Sequence, residues 1–123
     1  MSFETTLRTI LDDCGGGLGI ALMGSDGMPV EEIHAEGARV HLSEEIGVAG
    51  AEFGRILAEI RKASDSLNGG GVQETMLSFA RFSVILRAVD DDLFLVLALS
   101  PDGNLGKARY LMRRHMFAIR DEL

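Results

Sequence analysis

The chain has 123 residues and a mass of 13.3 kDa, the size of one domain spanning 1–123, and at that length about two-thirds of the unfolded surface can be buried without staples. An apolar content of 46% with two prolines excludes a disordered chain, and a net charge of −7 disfavours a general nucleic-acid binder. The lone Cys14 excludes an internal disulfide framework or a Cys-rich zinc site, no apolar run approaches the ~18 residues of a membrane span, and residues 1–10 lack a signal pattern, so the expected compartment is the cytoplasm.

Phe3, Leu7, Ile10 and Leu11 share one stripe at 3/4 spacing, which predicts a helix over residues 3–13, with Ser2 as N-cap and Gly15-Gly16-Gly17 as its stop. A strand over 18–24 follows. Ser25-Asp26-Gly27 has the chemistry of a hairpin turn, because glycine takes positive φ without strain. The next strand, 29–34, alternates only loosely at Val30 and Ile33 and reads as a weak or edge strand. Residues 36–45 are mostly polar and read as a loop. A long helix over 44–67 carries Ile46, Ala49, Phe53, Ile56, Leu57, Ile60 and Leu67 on its apolar face, and Asn68-Gly69-Gly70-Gly71 ends it.

Three strands follow, over 72–78, 82–89 and 93–99. The last is almost wholly apolar (Leu-Phe-Leu-Val-Leu-Ala-Leu) and is expected at the sheet centre, buried on both faces. Asp90-Asp91-Asp92 forms the tip between the final two strands. After the Ser100-Pro101-Asp102-Gly103 turn, Asn104 caps a last helix to about 122, with Leu105, Ala108, Leu111, Met112, Met116 and Ile119 on one stripe. The order is α-β-β-α-β-β-β-α. It defines an α+β sandwich: a five-stranded antiparallel sheet, the long helix on one face and the first and last helices on the other.

Several familiar site patterns fail on inspection. Neither Gly15 to Leu22 nor Gly103-Asn104-Leu105-Gly106-Lys107 supplies Gly-x-x-x-x-Gly-Lys-Ser/Thr, and the first glycine run precedes a strand instead of opening a helix. His115 has no second ligand one turn away; His34 and His41 sit elsewhere. Adjacent aspartates at a hairpin tip diverge, so Asp90, Asp91 and Asp92 read as a solvated turn. Cys14 has no histidine near it in sequence. No catalytic residue, metal or cofactor is expected.

The segments Gly19-Ile20-Ala21-Leu22-Met23-Gly24-Ser25-Asp26-Gly27-Met28-Pro29-Val30 and Leu93 to Leu99, followed by Asn104-Leu105-Gly106-Lys107-Ala108-Arg109, stand in a telling order. In that order, and over nearly the whole chain, the sequence resembles the Roadblock/dynein light-chain family, and within it the bacterial MglB/MglC-like branch. The resemblance implies a homodimer that acts on or scaffolds a Ras-like small GTPase of the MglA type, in cell polarity or gliding motility. The MglB type carries extra sequence after its last helix, whereas this chain stops at Leu123. That departure favours a non-catalytic adaptor over a GTPase-activating dimer. In an activating dimer, Arg55 or Arg61-Lys62 would be the cations offered to the GTPase. A small-ligand sensor is the reading from another class, and few inward polar residues on the strands support it.

Two surfaces follow from the residues. On the long helix Gly47, Ala51, Gly54 and Ala58 fall within about 60° of one another, away from the apolar face. Helix-interior glycines cost about 1 kcal/mol each, so close approach of another backbone is expected there, with irregularity at the helix start as the other reading. Together with an edge strand carrying Val72, Glu74 and Met76, this stripe is the expected dimer interface. The GTPase or a second Roadblock protein is expected beside it, at Arg55, Glu59 and Lys62. The other surface is the last helix, where Tyr110, Arg113, Arg114 and Phe117 have the composition of an interface hot spot and suit an acidic protein partner. Packing of those aromatics against the first helix is the equal alternative.

Overall fold

A computed structural model describes residues 3–35 and 41–123, with side chains described at all of these except 41–51. The elements are α1 (Phe3–Asp13), β1 (Gly17–Gly24), β2 (Pro29–His34), α2 (His41–Ser66), β3 (Glu74–Ser78), β4 (Ser83–Ala88), β5 (Leu93–Leu99), α3 (Leu105–Arg114) and α4 (Met116–Asp121). One antiparallel sheet in the order β2-β1-β5-β4-β3 carries them. The expected sandwich is therefore the observed one.

β5 pairs with β1 on one side and β4 on the other, as an apolar run buried on both faces requires. Period-two alternation sorts its side chains. Leu95, Leu97 and Leu99 join Leu7, Ile10 and Leu11 of α1 and Met112, Met116 and Ile119 of α3 and α4. Phe94, Val96 and Ala98 join Phe53 and Leu57 of α2. The β1–β2 connection turns as its chemistry dictates: Gly27 has φ 86°, its N–H donates to the Gly24 carbonyl, and the Asp26 carboxylate accepts the Met28 N–H at 3.0 Å. Both weak strands lie where unpaired backbone groups are tolerated, β2 at one edge and β3 at the other.

Three elements depart from the sequence expectation by more than one residue. The helix α2 begins at His41, so residues 41–45 are helical and not loop; Leu42 is the one apolar residue among these five and gives no period to read. The proposed loop over 36–40 and the Ser2 cap lie outside the described residues. The strand expected from Val72 starts at Glu74, and only the Gln73 carbonyl, accepting the Ala88 N–H, extends the pairing. The last helix is not continuous. Asn104 caps it as expected, accepting the Lys107 N–H, but at His115 (φ −90°, ψ 1°) the backbone re-aims. The bond from the His115 N–H to Leu111 and from the Ile119 N–H to His115 still cross the junction. Met116 and Ile119 beyond the junction are buried in the same core as Leu111 and Met112 before it.

Candidate interaction surfaces

The long helix does not bury the whole apolar face read from its sequence. Phe53 and Leu57 are buried, Ile60 is half-buried, but Ile56 is 39% exposed and Leu67 almost fully so. Ile56, Ile60 and Ala63, flanked by Glu52, Arg55 and Glu59, line an open groove of about 530 Å³ on the outer side of α2. Its walls carry charges that pair within the helix, Arg55 with Glu52 and Lys62 with Glu59, each one turn apart. Exposed pairs of this kind contribute well under 1 kcal/mol, so they are free to exchange partners.

The small-residue stripe divides. Gly47 and Ala51 lie outside the residues whose side chains are described. Ala58 is exposed. Gly54 is half-buried, and a Cβ there would stand 2.7 Å from the Ser25 carbonyl oxygen of the β1–β2 turn. The close backbone approach that this glycine permits is therefore inside the protomer, against its own hairpin. That corrects the reason given for Gly54, which needs no second helix to explain it.

At the β3 edge, Val72 is half-buried just ahead of the strand and Met76 is 47% exposed. Glu74 is held from two sides: Arg87 on the neighbouring strand donates to Oε2 at 3.0 Å and Arg109 of α3 donates to Oε1 at 2.6 Å. This network ties α3 to the edge strand and keeps Glu74 largely covered in the protomer. Sequence reading missed it, because a Glu–Arg pair 35 residues apart leaves no periodic trace. It also missed Phe79, which stacks tilted on Phe82 at 5.3 Å in the β3–β4 turn and stays half exposed.

On the opposite layer the two readings of the aromatic pair separate. Tyr110 is 56% and Phe117 78% exposed, while Leu111, Met112, Met116 and Ile119 make the packing onto the core. Packing of the aromatics against α1 is thus ruled out. Arg114 donates to the Tyr110 hydroxyl at 3.3 Å and Arg113 is exposed.

The remaining candidates are accounted for locally. The Gly15 and Gly16 carbonyls accept the N–H groups of Asn104 and Ser100, so the glycine run docks the α1–β1 turn onto the start of α3. Asp90 Oδ1 accepts the Asp92 and Leu93 N–H groups at 2.8 Å, closing its own turn. Among the described residues no group of three His, Cys, Asp or Glu side chains could hold a metal ion, and no helix is long and apolar enough to cross a membrane. A polar cleft of about 560 Å³ lies between the α2 C-terminus and the β4–β5 tip, bordered by Arg61, Gln73, Arg87 and Arg120. Cys14 is fully buried and its thiol donates to the Leu11 carbonyl. Burial pushes this thiol above its ordinary pKa, against the opposing backbone hydrogen bond at Gly17. The thiolate is the reactive form, so Cys14 in folded protein is expected to react with iodoacetamide at pH 8 at least tenfold more slowly than in urea-unfolded protein. Equal rates would mean that the α1 end opens freely.

No protein-family model matches the chain, and no curated protein sequence matches it. Solved structures do. MglC from Myxococcus xanthus is 35% identical over 100% of both chains, with a TM-score of 0.71. A Roadblock/LC7 domain from Streptomyces avermitilis superposes at 0.83 over 98% of this chain and 97% of its own, at 11% identity. An MglB with a tetrameric arrangement superposes at 0.87 over 97% of this chain and 85% of its own, at 17% identity. A five-stranded sheet between one long helix and a terminal-helix layer, joined to that end-to-end likeness, defines the class: the chain belongs to the Roadblock/LC7 family. Within it the chain falls in the MglB/MglC-like branch, and its sequence similarity to MglC is carried by the full length of both chains.

Proposed function

We propose that the protein is a homodimeric, non-catalytic adaptor that scaffolds or regulates a Ras-like small GTPase system of the MglA type, in bacterial cell polarity or gliding motility. The observation that carries this reading is the 35% identity to MglC along the whole chain. The surface fits a module that works by contact. Its β3 edge is unpaired in the protomer, and the groove on α2 leaves Ile56 and Ile60 partly bare. β3 would pair with its copy across a two-fold axis, and the α2 grooves would face one another. Val72 and Met76 would lie along the strand contact and Ala58 at its margin, with Glu74 kept in register by its two arginines. Arg55, Glu59 and Lys62 would rim the surface offered to the GTPase or to a second Roadblock protein. The two larger clefts are open grooves, which supports contact with macromolecules over a small-ligand sensor.

The test is to mix the purified protein with an MglA-type GTPase loaded with GTP, and separately with an MglB-type protein. One of the two is expected to bind, with single-turnover GTP hydrolysis unchanged within twofold. An acceleration of tenfold or more would make the protein an activator instead. Binding to neither overturns the proposal.

A further inference from the structure

The exposed face of α3 and α4 has no role in the dimer or the GTPase contact proposed above. Phe117 is 78% and Tyr110 56% exposed, and tyrosine with arginine is a composition enriched at interface hot spots. Arg113 and Arg114 lie between them along the helix and are exposed. Arg114 is committed only to the Tyr110 hydroxyl, and Arg113 meets no carboxylate among the described residues. By contrast, Arg109 is held by Glu74 and Arg120 by the Val89 carbonyl, so those two serve the fold. Residues 107–123 carry five basic and two acidic side chains, net +3, and the rest of the chain is at −10. The face is a cationic island on an acidic protein.

We propose that this face, Tyr110, Arg113, Arg114 and Phe117, is a second docking site, and that its occupant is an acidic segment of another protein that also carries an aromatic or aliphatic side chain. Charge decides between occupants. A nucleic acid would meet the −10 of the remaining surface over its whole length, whereas a short acidic segment touches only the island. A membrane surface needs a broad apolar face, and one phenylalanine and one tyrosine flanking two arginines do not provide it. Guanidinium groups accept carboxylates in forked pairs, which places acids over Arg113 and Arg114. Tyr110 on α3 and Phe117 on α4 flank the two arginines along the chain, so one apolar side chain can rest on the aromatics while its neighbours reach the arginines. The proposal needs neither the dimer nor the GTPase and stands or falls separately from them.

The experiment uses the full chain labelled with nitrogen-15 and three probes: a random copolymer of glutamate and tyrosine, poly-glutamate, and vesicles containing phosphatidylglycerol. The copolymer is expected to bind several-fold more tightly than poly-glutamate, with amide shifts concentrated at residues 107–120 and affinity falling as salt rises. Phe117→Ala should weaken copolymer binding by about tenfold, and Arg113→Glu with Arg114→Glu by more. Both variants should keep the parent's mass and unfolding midpoint, since the side chains are exposed. The proposal is overturned if the shifts fall elsewhere, if neither variant changes affinity, or if the vesicles bind as tightly as the copolymer. It is also overturned if the double variant loses the GTPase or the dimer along with the copolymer, because the site would then not be a separate one.

Discussion

Gly54→Leu is expected to destabilise the protomer by about 1–2 kcal/mol, even though it replaces glycine in a helix. Helix propensity alone favours the substitution by somewhat under 1 kcal/mol. Against that, the first carbon added stands 2.7 Å from the Ser25 carbonyl oxygen, which belongs to backbone and not to a side chain that can swing away. Either α2 lifts from the sheet, loosening Phe53 and Leu57, or the β1–β2 turn shifts and strains its Gly27 bond to Gly24. Overpacking of this kind typically costs 1–3 kcal/mol, and leucine adds three carbons more than the first. Urea unfolding at one fixed protein concentration reads the effect. If the variant is as stable as the parent but dissociates more readily on dilution, the glycine serves a helix–helix contact after all.

The second large effect is on assembly. Ile56→Glu is expected to leave the protomer folded and to raise the dimer dissociation constant by about thirtyfold or more, the equivalent of the roughly 2 kcal/mol that defines an interface hot spot. The side chain is 39% exposed in the protomer, so a carboxylate there can reach water. In the proposed dimer the groove faces its own copy, and the two-fold axis brings two such carboxylates into one apolar contact already rimmed by Glu52 and Glu59. Light scattering over a dilution series should show the parent near twice 13.3 kDa and the variant approaching 13.3 kDa at concentrations where the parent is still dimeric. A variant that dimerises like the parent would place the contact away from the α2 groove. A parent that is monomeric at every concentration would remove the dimer from the functional reading.

Element order, the central position of β5 and the edge positions of β2 and β3 were legible in the sequence. The physical reasons are local: an uninterrupted apolar run has nowhere to go but between two strands under two helix layers, and loosely patterned strands tolerate an open edge. The Asp26-Gly27 turn and the Asn104 cap were legible for the same reason, since each is chemistry confined to four residues. The break at His115 left no such mark. The apolar stripe of the last helix runs straight through it, with Leu111, Met112, Met116 and Ile119 in one core.

What the sequence by itself determined about this protein is its periodicities, and through them its layers, because burial patterns repeat at 2 and 3.6 whatever lies opposite; the family resemblance rests on the order of its motifs. Tertiary structure alone decided which side of each layer remains bare. Ile56 and Phe53 carry the same signal in one apolar arc, yet the fold buries the second and leaves the first 39% exposed. Gly54 looked like a seat for a neighbouring helix, and the hairpin of the same chain occupies it. Tyr110 and Phe117 stood equally well for core and for surface until Leu111, Met112, Met116 and Ile119 filled the space beneath. Covering an apolar residue depends on the distance and width of the facing element, and those are set by pairings between segments tens of residues apart, which no local pattern encodes.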